Sequence, residues 1–162
     1  MGSIKRSLSL RSVSRHFIRS GYVSLYGSRC VTVSTSQSSI TVSPVSGKKG
    51  RRAFVDLGRT FSAQLEHFVP QLRSEQLELV NPDKNPFFGH ARAQLFIAFR
   101  ADLAVGRISA HIDELALKVP AEQGFGPGAG FFGYFDAEDE ETARALLATA
   151  EDWLRNEGMT RV

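Results

Sequence analysis

The sequence is short of several things. It has one cysteine, Cys30, in 162 residues, which excludes an internal disulfide framework and a Cys-x-x-Cys metal site. No apolar run approaches the length of about 18 residues that a membrane span needs. The four histidines (His16, His67, His90 and His111) are scattered, none in a His-Glu-x-x-His spacing, so no metal is expected. Acidic residues are missing altogether from positions 1–55, which carry ten Lys and Arg. The rest of the chain reverses the balance, with 17 acidic against 10 basic residues. The calculated pI of 9.3 therefore describes the first third and gives no ground for a nucleic-acid partner.

What is present divides the chain in two. Residues 1–38 are Ser- and Arg-rich, with scattered apolar residues and no sustained period. Such a segment buries too little apolar area to offset its ordering entropy and reads as disordered. Three readings stay open for it: an organelle transit peptide, a stretch upstream of a mis-assigned start, or a basic arm for nucleic acid or membrane. The location follows suit, cytoplasmic by default and an organelle if the transit peptide is real. Residues 39–162 have the texture of a single domain.

Within that domain "ITVSPV" alternates and reads as a short strand stopped by Pro44. "GKKGRRAFVDLGRTF" places Ala53, Phe54, Leu57 and Phe61 at helical spacing, with Gly58 leaving the end of the helix open. "QLRSEQLELV" gives a second short helix with Leu72, Leu77 and Val80 inward, and "NPDKNPFFGH" is a turn-rich link. Residues 93–100 and 104–112 form a β-hairpin, with Gly106 marking a bulge or a close backbone approach. "PAEQGFGPGAG" is a glycine-rich, mobile loop, and "GFFGYFDA" is a third paired strand, aromatic on both faces. The last helix carries Ala143, Leu146, Leu147, Ala150, Trp153 and Leu154 inward and ends with Gly158 as a left-handed cap. "MTRV" then opens an extended segment. The fold class is α/β of the α+β type: a mixed, mostly antiparallel sheet with flanking helices.

The order of these elements resembles the N-terminal half of the GNAT acyltransferase fold. "NPFFGHARAQLFIAFRADLAVGRISAHID" followed by "GFFGYFDAEDEETARALLATAEDWLRNEGMTRV" is similar to a bacterial GNAT-like family, over roughly residues 40–162. The resemblance implies a domain lacking its C-terminal half. It also implies an acyl-CoA cosubstrate, acetyl-CoA or another, lying along the fourth strand at Gly133, Tyr134 and Phe135. Its pyrophosphate would meet the following turn, where Gln/Arg-x-x-Gly-x-Gly/Ala supplies backbone N–H groups. Here Ala143 matches the last position, while Glu138 and Glu141 replace the Gln/Arg and the first Gly. Acids in a first helical turn instead satisfy the macrodipole themselves, with Asp139 or Glu138 as cap.

The implied reaction is N-acylation of a small amine acceptor, with weak or no activity from this chain alone. The catalytic residue is unknown. His111 lies where it could line an acceptor pocket or act as general base, and His90 is the other histidine near the core; either is equally a structural histidine. Asp113 and Glu114 end the same strand and could meet an amine. Phe131, Phe132, Tyr134 and Phe135 read as core or as a substrate wall. Arg107, a charge inside an apolar strand, needs a partner among Asp113, Glu114 and Asp136. The rival reading is a non-catalytic binding module or homodimer built on an open sheet edge.

Overall fold

The computed structural model describes residues 39–123 and 125–162. The readings of residues 1–38 lie outside them. Four strands, β1 (Ile40–Pro44), β2 (Ala91–Arg100), β3 (Leu103–Asp113) and β4 (Phe131–Ala137), form one sheet in the order β1-β2-β3-β4. All three pairings are antiparallel, and the α+β class is as the sequence predicts. Among the described residues the only parallel pairing is the bridge Ala129↔Arg161, by which the extended "MTRV" segment joins the chain entering β4.

Alternation along β2 sends side chains to two covered faces. Phe96 and Ala98 join Val105, Ile108, Ala110 and Ile112 of β3 under helix α3 (Glu140–Asn156). Leu95, Ile97 and Phe99 face helices α1 (Gly47–Ser62) and α2 (Arg73–Leu79), against Phe54, Val55, Leu57 and Leu77. The sheet is thus the middle of three layers. At Gly106 a built Cβ would meet Thr142 Cγ2 at 2.7 Å and the carbonyl oxygen of Asp136 at 2.8 Å, the close approach its place in a strand predicts.

Several inward-facing assignments change. Ala53 is exposed, and Val55 and Gly58 are buried in its place, because α1 turns toward Arg107 of β3. Gly58 does not end the helix, which runs on to Ser62. Leu72 precedes α2 and is 64% exposed. In α3 the fully buried stripe is Thr142, Leu146, Ala150 and Leu154, with Leu147 and Trp153 on its flank. Gly158, at φ 87°, is the expected left-handed cap. Part of the glycine-rich loop is ordered as a 3-10 turn, Ala121–Gln123. Three of the β4 aromatics are exposed rather than core, since β4 is an edge strand that α3 only partly covers. No helix among the described residues is long and apolar enough to cross a membrane.

Candidate functional site at the β4 edge

The sheet departs from regularity in the middle of β4. Ser109 pairs with Gly133 and Arg107 with Asp136, so Tyr134 and Phe135 together oppose Ile108. This is a β-bulge, and Tyr134 occupies it with φ 47°. A non-glycine residue in the left-handed region is uncommon and needs outside support. Phe54 and Arg107 supply it. The Tyr134 ring meets Phe54 edge-on at 5.7 Å, and the Arg107 guanidinium lies 5.4 Å from the Tyr134 ring and 4.9 Å from that of Phe54. Arg107 is held by Asp136 at 2.7 Å and donates to the Phe54 carbonyl at 3.0 Å. Its side chain is only 11% exposed, so these partners satisfy a charge withdrawn from water. Of the three acids the sequence offered it, Asp136 is the partner.

Beside the bulge, on the α1–α2 face, lies a cavity of about 280 Å³. Its walls are mainly apolar, among them Val80, Phe87, Phe88 and Leu95, with Ser109, Gly133 and Tyr134 on the sheet side. Asn85 shapes its rim by donating to the Leu79 carbonyl at 2.7 Å and accepting from the Phe87 amide at 3.0 Å. His111 is the imidazole in the wall, stacked on Phe131 at 5.7 Å and edge-on to Phe87 at 5.9 Å. Burial lowers its pKa below the usual imidazole value, against a smaller opposing pull from Asp113.

The sign of that shift has a consequence for stability. The unfolded chain takes up the proton first, so His111 contributes nothing adverse above its ordinary pKa of about 6.5 and costs stability as pH falls below it. His111→Gln should flatten the loss of stability on acidifying from neutrality toward the carboxylate range. Urea unfolding across that window measures it; an unchanged slope would refute the burial argument. The depressed carboxyls of Asp56, Asp113 and Asp139 titrate lower and act only at more acidic pH.

The turn from β4 into α3 is capped from within, although the buried Thr142 Oγ1 has no hydrogen-bond partner. Asp139 is the N-cap, its Oδ1 accepting from the Thr142 amide at 2.9 Å, while the Ala143 amide is used by the Asp139 carbonyl at 3.0 Å. Arg100, at the end of β2, reaches Asp139 at 2.6 Å, Glu141 at 3.5 Å and Glu138 at 3.7 Å. One guanidinium therefore serves three carboxylates. The Thr142 amide, followed by Arg100, holds the Asp139 carboxyl below its usual range.

Of the residues singled out from sequence, Gly133, Tyr134 and Phe135 come together at the bulge, and His111 joins Gly133 and Tyr134 around the cavity. Ala143 is half-buried one turn into α3, away from that group. His90 instead pairs with Asp113 at 3.0 Å, and Asp113 also caps the Leu115 amide at 2.9 Å. Glu114 lies 3.6 Å from Arg92. From sequence Phe54 is only a helix residue, and Ser109, Asn85 and Arg100 are not singled out at all. Only Ser109, a polar residue between Ile108 and Ala110, carried a local signal. Among the described residues no group of three or more His, Cys, Asp or Glu is placed to hold a metal ion.

Comparison with known proteins adds two relatives. The chain is 38% identical over 122 residues to the bacterial ceramide synthase of Caulobacter vibrioides (strain NA1000 / CB15N), covering 75% of this chain and 31% of that protein. It is 31% identical over 116 residues to Protein YghO of Escherichia coli (strain K12), covering 71% of this chain and 28% of that protein. The chain thus spans about a third of the length of the curated relatives it matches. No family model matches the sequence. No solved structure matches it either.

Proposed function

We propose that residues 39–162 form the acyl-CoA-facing part of a GNAT-like N-acyltransferase whose amine acceptor has an apolar body. The observation that carries the reading is the bulge at Tyr134 and Phe135 in an edge strand, beside an apolar cavity. The outer edge of β4 offers backbone N–H and C=O groups to an extended, amide-bearing arm such as pantetheine, which would add to the sheet as a strand does. The bulge re-aims those groups next to Gly133, which borders the cavity. An amine seated there would attack the thioester carbonyl. The C–N bond forms, the C–S bond breaks, and the thiolate leaves to take up a proton. The amine must first lose its own ammonium proton, and His111, kept neutral by burial, is the group in the cavity wall able to accept it. Ceramide is chemically the amide of a long-chain amine, so the name of the Caulobacter relative agrees with N-acylation of a lipophilic acceptor. An acyl-CoA substrate goes with a cytoplasmic setting.

The acids at the α3 turn work against a pyrophosphate there. Arg100 offsets one charge of Glu138, Asp139 and Glu141, and each uncompensated carboxylate near the phosphate costs about 1 kcal/mol even when well solvated. Acetyl-CoA is expected to bind the 162-residue chain with a dissociation constant in the high micromolar range or weaker, and a Glu138→Gln, Glu141→Gly variant should bind about thirty-fold tighter at low salt and less so when the charges are screened. Calorimetric titration of both proteins tests this. Low-micromolar binding by the wild type would refute the repulsion. An obligate dimer in which neither protein binds would favour the rival reading, a non-catalytic module that pairs through the open β4 edge.

A further inference from the structure

Helix α1 opens with Gly47-Lys48-Lys49-Gly50-Arg51-Arg52, four cations within its first two turns and no acid in the first. The N-terminus is the positive end of a helix, so these charges oppose its dipole. Ser46, the N-cap, makes no side-chain capping bond to relieve it. None of the four cations has an ion-pair partner among the described residues. Arg73, Lys84, Arg92, Arg100, Arg107, Arg144 and Arg155 are paired with carboxylates, whereas Arg59, Lys118 and Arg161, the other cations without a carboxylate partner among the described residues, stand singly along the chain. What sets these four apart is that they are clustered: like charges gathered without carboxylate partners oppose folding and are available to an anion outside the chain.

Its position suggests what that is. Lys48, Arg51 and Arg52 line a groove between α1 and α2 together with Glu78, Asp83 and Lys84. Lys84 takes up Glu78 at 2.9 Å, so the groove keeps an excess of positive charge. The next two residues of the chain, Leu79 and Val80, border the apolar cavity, and Leu79 is 48% exposed. Cations and the mouth of an apolar cavity therefore meet across one turn of α2. The acidic residues of the α3 turn are elsewhere, around Arg100. We infer that the first turns of α1 form a docking face for an anionic lipid surface, set beside the mouth of the apolar cavity. The docking face stands on the charge distribution; only its purpose, delivery of a lipophilic acceptor to the cavity, rests on the proposed function. Four to eight clustered Lys and Arg on a helix are the signature of such a contact with an anionic lipid surface.

The test uses the full chain and sedimentation with phosphatidylcholine vesicles, with and without phosphatidylglycerol. Lys48, Lys49, Arg51 and Arg52→Gln is compared with a control that changes Arg11, Arg15, Arg19 and Arg29→Gln. Each cation at an anionic surface is worth roughly five-fold in partitioning. The α1 variant should therefore lose at least about fifty-fold in binding to the anionic vesicles, with little binding to neutral ones in any case. The same variant should melt no lower than the wild type, since the replaced charges oppose the helix dipole. Wild-type vesicle binding by the α1 variant, or a loss confined to the control, would overturn the proposal. So would a single-stranded oligonucleotide that binds more tightly than the vesicles with the same dependence on α1. Acyl-CoA titration of the α1 variant separates the two ideas, because the docking face can fail while the β4 edge still binds, and the reverse.

Discussion

Gly58→Ala is expected to cost about 2–4 kcal/mol of stability, even though alanine is the better helix former by about 1 kcal/mol. An added Cβ would sit 1.8 Å from Cζ and Nη2 of Arg107. A free arginine would swing aside cheaply. This one is fixed by Asp136, by the Phe54 carbonyl and by the rings of Phe54 and Tyr134, so moving it breaks charged hydrogen bonds in a poorly hydrated place. The check is a double-mutant cycle followed by urea unfolding. In an Arg107→Ala background the space is vacated, and Gly58→Ala should become neutral or stabilising. A cost that persists there would mean the contact with Arg107 is not its cause. Arg107→Lys should not restore the wild type, because an ammonium lacks the planar fork that bonds Asp136 and Phe54 at once.

Leu146→Ala is expected to lose about 2–5 kcal/mol, and Leu147→Ala distinctly less. Leu146 is fully buried among Val105, Ile108 and Ala110, whereas Leu147 is only half covered. The two leucines are adjacent and chemically identical, so the comparison isolates which face of α3 meets the sheet. Equal losses would mean that the helix is rotated from the position described.

The contrast between these leucines shows where the sequence was legible. Helical spacing located α3, its Gly158 cap and the face that packs, but a stripe of Ala, Leu and Trp fits more than one rotation about the helix axis. Contact with Gly106 chose among them: there, with no Cβ in the way, β3 lets Thr142 and Leu146 approach its backbone. The β2–β3 hairpin was readable because its alternation of apolar residues needs nothing beyond the strands themselves. In α1 the spacing selected Ala53 where the fold buries Gly58, because the buried face was decided by an arginine 49 positions away in the chain. The bulge left no trace at all. Left-handed geometry is usually announced by glycine or asparagine, and here a tyrosine adopts it under tertiary constraint. The acids before α3 were visible as a group, yet Arg100, separated from Asp139 by 39 residues, was not.

The irregularity at Tyr134 bears on repeated strand-to-strand association. A straight outer strand is a template: its evenly spaced amide and carbonyl groups invite the same strand of another molecule, and repetition gives a fibre. The segment Phe131–Ala137 would be a hazard on composition, rich in aromatics and holding a single charge. The extra residue at the bulge puts the two ends of β4 out of step, so a second copy laid along it could match one end but not both. A kink at this edge is thus expected to hinder polymerisation along it. A variant that restores regular pairing, for example by deleting Tyr134, would be expected to aggregate during refolding at concentrations where the wild type stays dispersed.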